Sequence, residues 1–190
     1  MKISQLQASD QIKYGTDKFS CHSYNDFYDE LFDGKRSAPL DILEIGVHNG
    51  GSVRLWHDYL TEAKIYGVDI KPIDAIMSDG CSNRVTLVSH DMYDDRGMSN
   101  VTYTFLNGFK GFDVVVDDGS HILRDQIYAL KWFPQMLKSG GILVIEDIPE
   151  GAEAEIIKYA PSGGTCEVID LRSVKGRWDD CLIVFKKDAV

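Results

Sequence analysis

Short runs of apolar residues recur along the chain, and most of them end at a glycine or an acidic residue. Because these runs are rich in Val, Ile and Leu and are separated by stretches of helical pattern, they predict buried parallel strands with helices on both faces. We place seven strands at 41–45, 63–70, 84–91, 112–121 (where the strand runs into a loop), 141–148, 166–172 and 181–187. The fold class predicted is α/β, doubly wound.

The segments between the runs predict helices near 53–60, 124–137 and 153–160. The sequence KSGG is expected to end the second of these helices. Only eight residues, SVKGRWDD, join the last two strands. That length is too short for a crossover helix, so the sheet should be mostly parallel with one antiparallel strand.

The chain has no repeat, low-complexity tract or Pro/Gly-rich linker, so we expect one domain over 1–190. Residues 1–40 should form a helical cap and residues 41–190 the core. The net charge of −10 disfavours nucleic acid and anionic membranes as partners. No signal peptide or apolar run of membrane-spanning length is evident, which makes the cytoplasm the expected location.

Glycines and acids follow the first three predicted strands. In an open α/β sheet, ligands bind beyond the carboxyl ends of the strands. Gly46 and Gly50 would let the backbone approach a ligand, Asp69 would accept hydrogen bonds from ribose hydroxyls, and Asp91 could meet an adenine edge. The alternative interpretation is a tight turn flanked by solvated acids.

Glu44 lies before the turn, where it would repel a pyrophosphate and suit a cationic group of the ligand. This position favours S-adenosylmethionine over NAD. LEIGVHNGGSVRLW followed by YGVDI resembles motifs I and II of class I methyltransferases. The resemblance implies a Rossmann-like fold. His48 stands where a glycine is common, so we expect a backbone angle that a non-glycine residue can reach.

Four carboxylates lie at the ends of the fourth and fifth predicted strands. If these strands are neighbours, about 4.8 Å apart, Asp117, Asp118, Glu146 and Asp147 share a small volume and repel one another. A divalent cation, Mg²⁺ or Mn²⁺, would relieve the repulsion. Pro149 supports an early end of the fifth strand, which Glu146 and Asp147 would need in order to share an ion.

VVVDDGSH, VIEDI and the N-terminal YGTDKFSCHSYNDFY resemble the metal-dependent sugar O-methyltransferases that tailor macrolides and related glycosylated natural products. The resemblance implies that Asp118, Glu146 and Asp147 bind the metal and that His121 is the base. Asp117 would orient the cofactor or support the metal site. The resemblance to this family also implies a small-molecule or saccharide acceptor. The oligomeric state stays open, with a homo-oligomer as one option.

The loop between the last two strands should lie at the same end of the sheet as these motifs. Arg177, Trp178 and Asp179 are therefore candidate acceptor contacts, as is Tyr24, although a plain hairpin tip and an ordinary amphipathic helix fit equally well. Three other functions remain open. They are a catechol-type O-methyltransferase, a non-catalytic S-adenosylmethionine binder and a nicotinamide-dependent oxidoreductase.

Likewise, each metal or base candidate has a structural alternative. Asp118 could cap the following helix, and His121 could be a hydrogen-bonded structural histidine. Glu146 and Asp147 could be an exposed strand end.

Overall fold

The computed structural model describes residues 1–72, 83–106 and 110–189, except for the side chains of 102–104 and 106. Seven strands form one sheet. They are β1 (Asp41–Ile45), β2 (Lys64–Asp69), β3 (Val85–Ser89), β4 (Phe112–Asp117), β5 (Leu137–Ile145), β6 (Gly164–Asp170) and β7 (Cys181–Lys187). The seven predicted strands are thus confirmed, with shifts at their ends.

The sheet has the order β3-β2-β1-β4-β5-β7-β6. The first five strands pair in parallel, and β7 runs antiparallel to both of its neighbours. The single antiparallel strand is therefore confirmed. This order places β1 and β4 at the centre, and their carboxyl ends meet those of β2 and β5 at one edge of the sheet.

Seven helices accompany the strands in the described part of the chain. They are α1 (Ile3–Ser9), α2 (Asn25–Leu31), α3 (Gly51–Tyr59), α4 (Asp95–Leu106), α5 (Leu123–Trp132), α6 (Glu153–Ile156) and α7 (Arg172–Lys175). One core cluster joins the sheet to α1, α2 and α3, and a second joins it to α4 and α5. Two separate cores confirm that helices cover both faces. No described helix has the length and apolar character needed to cross a membrane.

The prediction that KSGG ends a helix is wrong. Helix α5 ends at Trp132, and residues Phe133–Met136 form a 3₁₀ turn that contains Pro134. Pro134 has no backbone N–H with which to continue the helical hydrogen bonds, which explains the early end. The KSGG residues belong to β5, where the pairing with β4 shifts register between Phe112 and Val114. Helix α4 was not predicted.

The N-terminal segment, which contains α1 and α2, packs against the core. Ile3, Tyr24 and Tyr28 are fully buried in the same cluster as Trp56. The Tyr14 hydroxyl donates a hydrogen bond to Asp58 on α3 at 2.8 Å. These contacts hold the residues that follow Tyr14 against the carboxyl edge of the sheet. The division into a cap over 1–40 and a core stays a prediction.

Candidate active site

A cavity of about 680 Å³ opens at the carboxyl ends of β1 to β4. Its wall contains backbone of the turn after β1, acids after β2 and β3, and the segment after β4. The residues that line it are Gly15–Asp17, Ile45–Asn49, Gly51, Ser52, Val68–Lys71, His90–Tyr93, Asp118–Ile122 and Asp125. Five of the predicted site residues therefore border a single cavity, namely Gly46, Asp69, Asp91, Asp118 and His121.

The turn after β1 follows an unusual backbone path. Gly46 and Gly50 have φ angles of 88° and 74°, in the left-handed region that glycine tolerates. His48 also lies in this region, with φ of 47°. A histidine can reach this conformation, although glycine adopts it more easily and it costs a histidine some strain. Gly46 lines the cavity, whereas Gly50 lies behind it as the residue before α3.

Asp69 ends β2 and faces the cavity. Its two carboxylate oxygens each accept a backbone N–H, from His48 at 2.7 Å and from Lys71 at 2.8 Å. These bonds fix the carboxylate and leave further lone pairs for a diol. Asp91 also lines the cavity, is exposed, and accepts the N–H of Tyr93 at 3.0 Å. Both positions suit the predicted nucleoside contacts.

Glu44 does not face the cavity, contrary to the expectation of a direct contact with a cationic ligand. Its carboxylate is fully buried and accepts hydrogen bonds from Ser52 Oγ at 2.8 Å and Trp56 Nε1 at 3.2 Å. The Lys18 ammonium lies 3.4 Å away. The short strand β1 directs this side chain towards α3 and the N-terminal segment, which is the physical reason for the difference. Burial raises the pKa of Glu44, and the nearby Lys18 ammonium opposes the rise.

Asp117 is also buried and is not part of the cavity wall. Its Oδ1 accepts a hydrogen bond from the Tyr93 hydroxyl at 2.6 Å. Burial raises the pKa of Asp117 to about 7, against the opposing effect of that hydrogen bond. Tyr93 also accepts the N–H of Ser120 at 3.1 Å. Asp117 therefore supports the segment after β4 and does not touch a ligand in the cavity.

Asp118, His121 and Asp147 form a cluster at the wall of the cavity. One ligand atom from each lies within 4.8 Å of the other two. The ring of His121 bridges the carboxylates, with Nε2 3.2 Å from Asp118 and Nδ1 3.4 Å from Asp147. His121 and Asp147 both have φ of 55°, since β5 has already ended at Ile145. This left-handed backbone at Asp147 turns its carboxylate towards the segment after β4.

The charges of this cluster act on His121. Burial lowers the pKa of His121, but the hydrogen bond to Asp118 and the charge of Asp147 outweigh burial and raise it to about 9. The imidazole is thus protonated at neutral pH while it bridges two carboxylates. A divalent cation held by the same carboxylates would lower this pKa, because it would replace the imidazolium as their counter-ion.

Glu146 lies next to this cluster but faces the opposite way. One of its oxygens accepts a hydrogen bond from Lys18 Nζ at 2.7 Å, and the other accepts one from the Tyr28 hydroxyl. Burial raises its pKa, against the opposing charge of Lys18. Among the described residues, Glu146 belongs to neither of the two groups whose side chains could hold an ion together. Its role as a metal ligand stays a prediction.

The predicted acceptor contacts are arranged differently from the expectation. Tyr24 is fully buried and donates a hydrogen bond to Asp147 Oδ1 at 2.7 Å, so it supports that carboxylate and cannot contact an acceptor. Arg177 donates to both oxygens of Asp179, at 3.1 and 3.0 Å. Trp178 is 61% exposed. Neither Trp178 nor its two neighbours line the cavity, and their contact with an acceptor stays a prediction.

Sequence reasoning missed three residues that organise the site. Lys18 is a buried partner of Asp118, although it belongs to the GTDK segment that carried the resemblance. His22 lies 3.3 Å from Asp147 and forms a second possible donor group with Asp147 and Asp179. Tyr93 supports Asp117. No periodicity or spacing marks these contacts, because each joins residues that are distant in sequence.

A family profile described as "Methyltransferase domain" matches residues 43–148. The chain therefore belongs to this methyltransferase family, as the motifs after β1 and β2 had indicated. The matched residues include the turn after β1, Asp69, the DDGSH segment and the acids after β5.

Two curated relatives are named as O-methyltransferases, the first of them of a rhamnosyl compound. The 8-demethyl-8-α-L-rhamnosyl tetracenomycin-C 2′-O-methyltransferase of Streptomyces olivaceus is 31% identical over 144 residues, 72% of this chain and 36% of that protein. The demethylmacrocin O-methyltransferase of Streptomyces fradiae is 33% identical over 147 residues, 72% of this chain and 34% of that protein. The chain thus spans about a third of the length of these relatives.

Solved structures share the fold. The MycE methyltransferase from the mycinamycin biosynthetic pathway, in complex with Mg, SAH and mycinamycin VI, matches 100% of this chain and 55% of that one, with a TM-score of 0.77 and 22% identity. A fibrillarin pre-rRNA processing protein of Methanococcus jannaschii matches 82% of this chain and 70% of that one, with a TM-score of 0.56 and 17% identity. The same fold therefore serves different acceptors, and the acceptor class has to be argued from the site.

Proposed function

We propose that this chain is the catalytic part of an S-adenosylmethionine-dependent, Mg²⁺- or Mn²⁺-assisted O-methyltransferase that acts on a hydroxyl of a sugar or glycosylated small molecule. One observation carries the proposal. A single cavity runs from Asp69, which suits a ribose, to Asp118 and His121, which suit a cation and a proton transfer. A binder without turnover would have no use for an imidazole and carboxylates at the far end of a nucleoside pocket.

The donor set fits a hard divalent cation. Carboxylate oxygens of Asp118 and Asp147 lie within 4.8 Å of each other and of a His121 ring nitrogen. Mg²⁺ and Mn²⁺ prefer such oxygen ligands. Burial raises the pKa of Asp147 and the charge of Asp118 raises it further, so a bound cation would stabilise its ionised carboxylate. Asp118 and Asp147 would hold the ion, and Glu146 is retained as a further candidate ligand.

The chemistry follows from these positions. A bound divalent cation would lower the pKa of an acceptor hydroxyl, which in water is far above neutral pH. His121 accepts the hydroxyl proton as general base, and its 40% exposed ring is accessible from the cavity. Asp69 orients the nucleoside of the methyl donor. The shared cavity brings donor and acceptor into line, which contributes several kcal/mol through orientation alone.

A saccharide is favoured as acceptor because one relative is named as a 2′-O-methyltransferase of a rhamnosyl tetracenomycin. Vicinal hydroxyls of a sugar offer two oxygens to one cation. A catechol offers the same pair, so acceptor class needs a direct assay. The net charge of −10 disfavours nucleic acid as acceptor.

The test is a paired methyl-transfer assay with S-adenosylmethionine, using a rhamnosylated aromatic polyketide and a simple catechol as acceptors. We expect Mg²⁺-dependent transfer to the sugar and loss of turnover in EDTA that added Mg²⁺ restores. Methyl transfer to the catechol alone would show that the acceptor is a catechol and not a sugar. Turnover that is unaffected by EDTA would remove the metal from the proposal.

Calorimetry with S-adenosylhomocysteine (SAH), the product of the methyl donor, and with NADH distinguishes a methyltransferase from a nicotinamide-dependent enzyme. We expect heat of binding with SAH and none with NADH. Binding of SAH without turnover on either acceptor, in the presence of Mg²⁺, would instead support a non-catalytic binder.

A further inference from the structure

Lys18 is a fully buried lysine whose ammonium is enclosed by carboxylates. Its Nζ lies 2.5 Å from Asp118, 2.7 Å from Glu146 and 3.4 Å from Glu44. Burying a charged group costs several kcal/mol unless partners compensate it. The Lys18 ammonium therefore offsets the charge of the carboxylates that surround it.

Asp118 is shared between this group and the cluster on the cavity side. Its Oδ2 contacts the Lys18 ammonium, and its Oδ1 contacts His121 in the group that suits a divalent cation. A carboxylate that bridges two cations is typical of two-metal sites, in which the ions lie roughly 3.5–4 Å apart. Here the bridging carboxylate has an ammonium on one side.

We propose that Lys18 is a positioning residue that takes the place of a second divalent cation. Its ammonium neutralises the acids behind Asp118, so that the site holds one exchangeable ion, between Asp118 and Asp147. The inference rests on the proposed function, since that ion is the one assigned there. A fixed ammonium also holds Asp118 in the same orientation whether or not the exchangeable ion is present.

The position of Lys18 in the chain adds a second consequence. Thr16 and Asp17, just before Lys18, line the cavity. Gly15 packs closely on Gly51, since a Cβ on Gly51 would lie 2.7 Å from the carbonyl carbon of Gly15. Lys18 therefore ties the N-terminal wall of the cavity to the ends of β4 and β5. A metal ion in the same place would not provide that covalent link.

The test counts Mn²⁺ ions by electron paramagnetic resonance titration in wild type, Lys18→Ala and Lys18→Arg. Alanine removes the charge and leaves room for an ion with its water, whereas arginine keeps a positive charge. We expect Lys18→Ala to bind one more Mn²⁺ per chain than wild type, with spectral broadening from the neighbouring ion, and Lys18→Arg to bind the wild-type number. A buried lysine with only a structural role would leave the number unchanged.

The outcomes separate this inference from the proposed function. Wild type that binds no Mn²⁺ contradicts the metal part of the proposed function, while a gain of one ion in Lys18→Ala still supports the role of Lys18. Equal numbers in wild type and Lys18→Ala overturn the role of Lys18 and leave the proposed function intact. A gain in Lys18→Arg equal to that in Lys18→Ala would also overturn it, because the charge would then be irrelevant.

Lys18→Ala has a second readout in case the variant is unfolded without an ion. If a cation can replace the ammonium, Mn²⁺ should restore folding and raise its thermal midpoint by more degrees than it raises that of wild type. A variant that remains unfolded in millimolar Mn²⁺, Mg²⁺ and Ca²⁺ would overturn the proposal.

Discussion

The carbonyl oxygen of Asp118 lies only 1.8 Å from the point that a Cβ on Gly46 would occupy. The turn after β1 and the segment after β4 thus touch backbone to backbone, where the predicted cofactor site meets the predicted metal site. Only glycine allows this approach, since Gly46 also has φ of 88°.

Gly46→Ala should therefore lower stability and displace Asp118. Positive φ alone costs a non-glycine residue about 1–2 kcal/mol, and the clash with a backbone atom adds to that cost. Gly34→Ala is the matched control, because Gly34 has φ of 68° with nothing within 4 Å of its Cβ position. Urea denaturation should show a clearly larger loss for Gly46→Ala. Equal losses would mean that the segment after β4 moves aside without cost.

His121→Gln should reduce kcat by about 10²–10⁴-fold, the usual contribution of general-base catalysis. The affinity for SAH should stay within a few-fold of wild type, because the ring lies at the acid cluster and not near Asp69. Stopped methyl-transfer assays and calorimetry measure the two quantities. His57→Gln, on α3 and outside the cavity wall, is the control and should keep kcat. Unchanged kcat in His121→Gln would assign His121 a structural role.

Asp69→Asn should have the reverse effect. An amide cannot accept both backbone N–H groups, from His48 and Lys71, and also the hydroxyls of a ribose. We expect SAH to bind about 10- to 100-fold more weakly, the usual loss for a hydrogen bond to a charged group. Turnover at saturating S-adenosylmethionine should change much less. Asp170→Asn, at a side chain that is 56% exposed, controls for loss of one carboxylate. Full SAH affinity in Asp69→Asn would contradict the ribose contact.

Asp58 should stabilise the fold only above acidic pH. Burial raises its pKa, but hydrogen bonds from Lys13, His57 and Tyr14 outweigh burial and lower it to about 2. Since the folded pKa lies below the unfolded value of 3.8, the stabilisation is complete above about pH 4 and is lost as the pH falls through about 2. Because the side chain is partly exposed, Asp58→Asn should cost only on the order of 1 kcal/mol at pH 6. Denaturation at several pH values should show this difference shrinking below about pH 4. A constant difference would exclude the charge as its cause.

The sequence predicts the strands, and which of them run parallel or antiparallel, because apolar runs and short connections are local signals. Asp69 and Asp118 were also found from their places after β2 and β4. The partners of the acids could not be predicted in this way. Lys18 reaches Glu146 across 128 residues, and this contact depends on how the N-terminal segment packs. Likewise, the inward direction of Glu44 depends on Trp56, which only the packed helix α3 brings close.

The central claim is that one cavity holds a methyl donor and a divalent cation side by side. Anomalous diffraction from crystals grown with SAH and Mn²⁺ tests it most directly. We expect one strong Mn²⁺ peak about 2 Å from carboxylate oxygens of Asp118 and Asp147, with the ribose of SAH hydrogen-bonded to Asp69. A peak held only by other residues, or SAH bound outside this cavity, would contradict it.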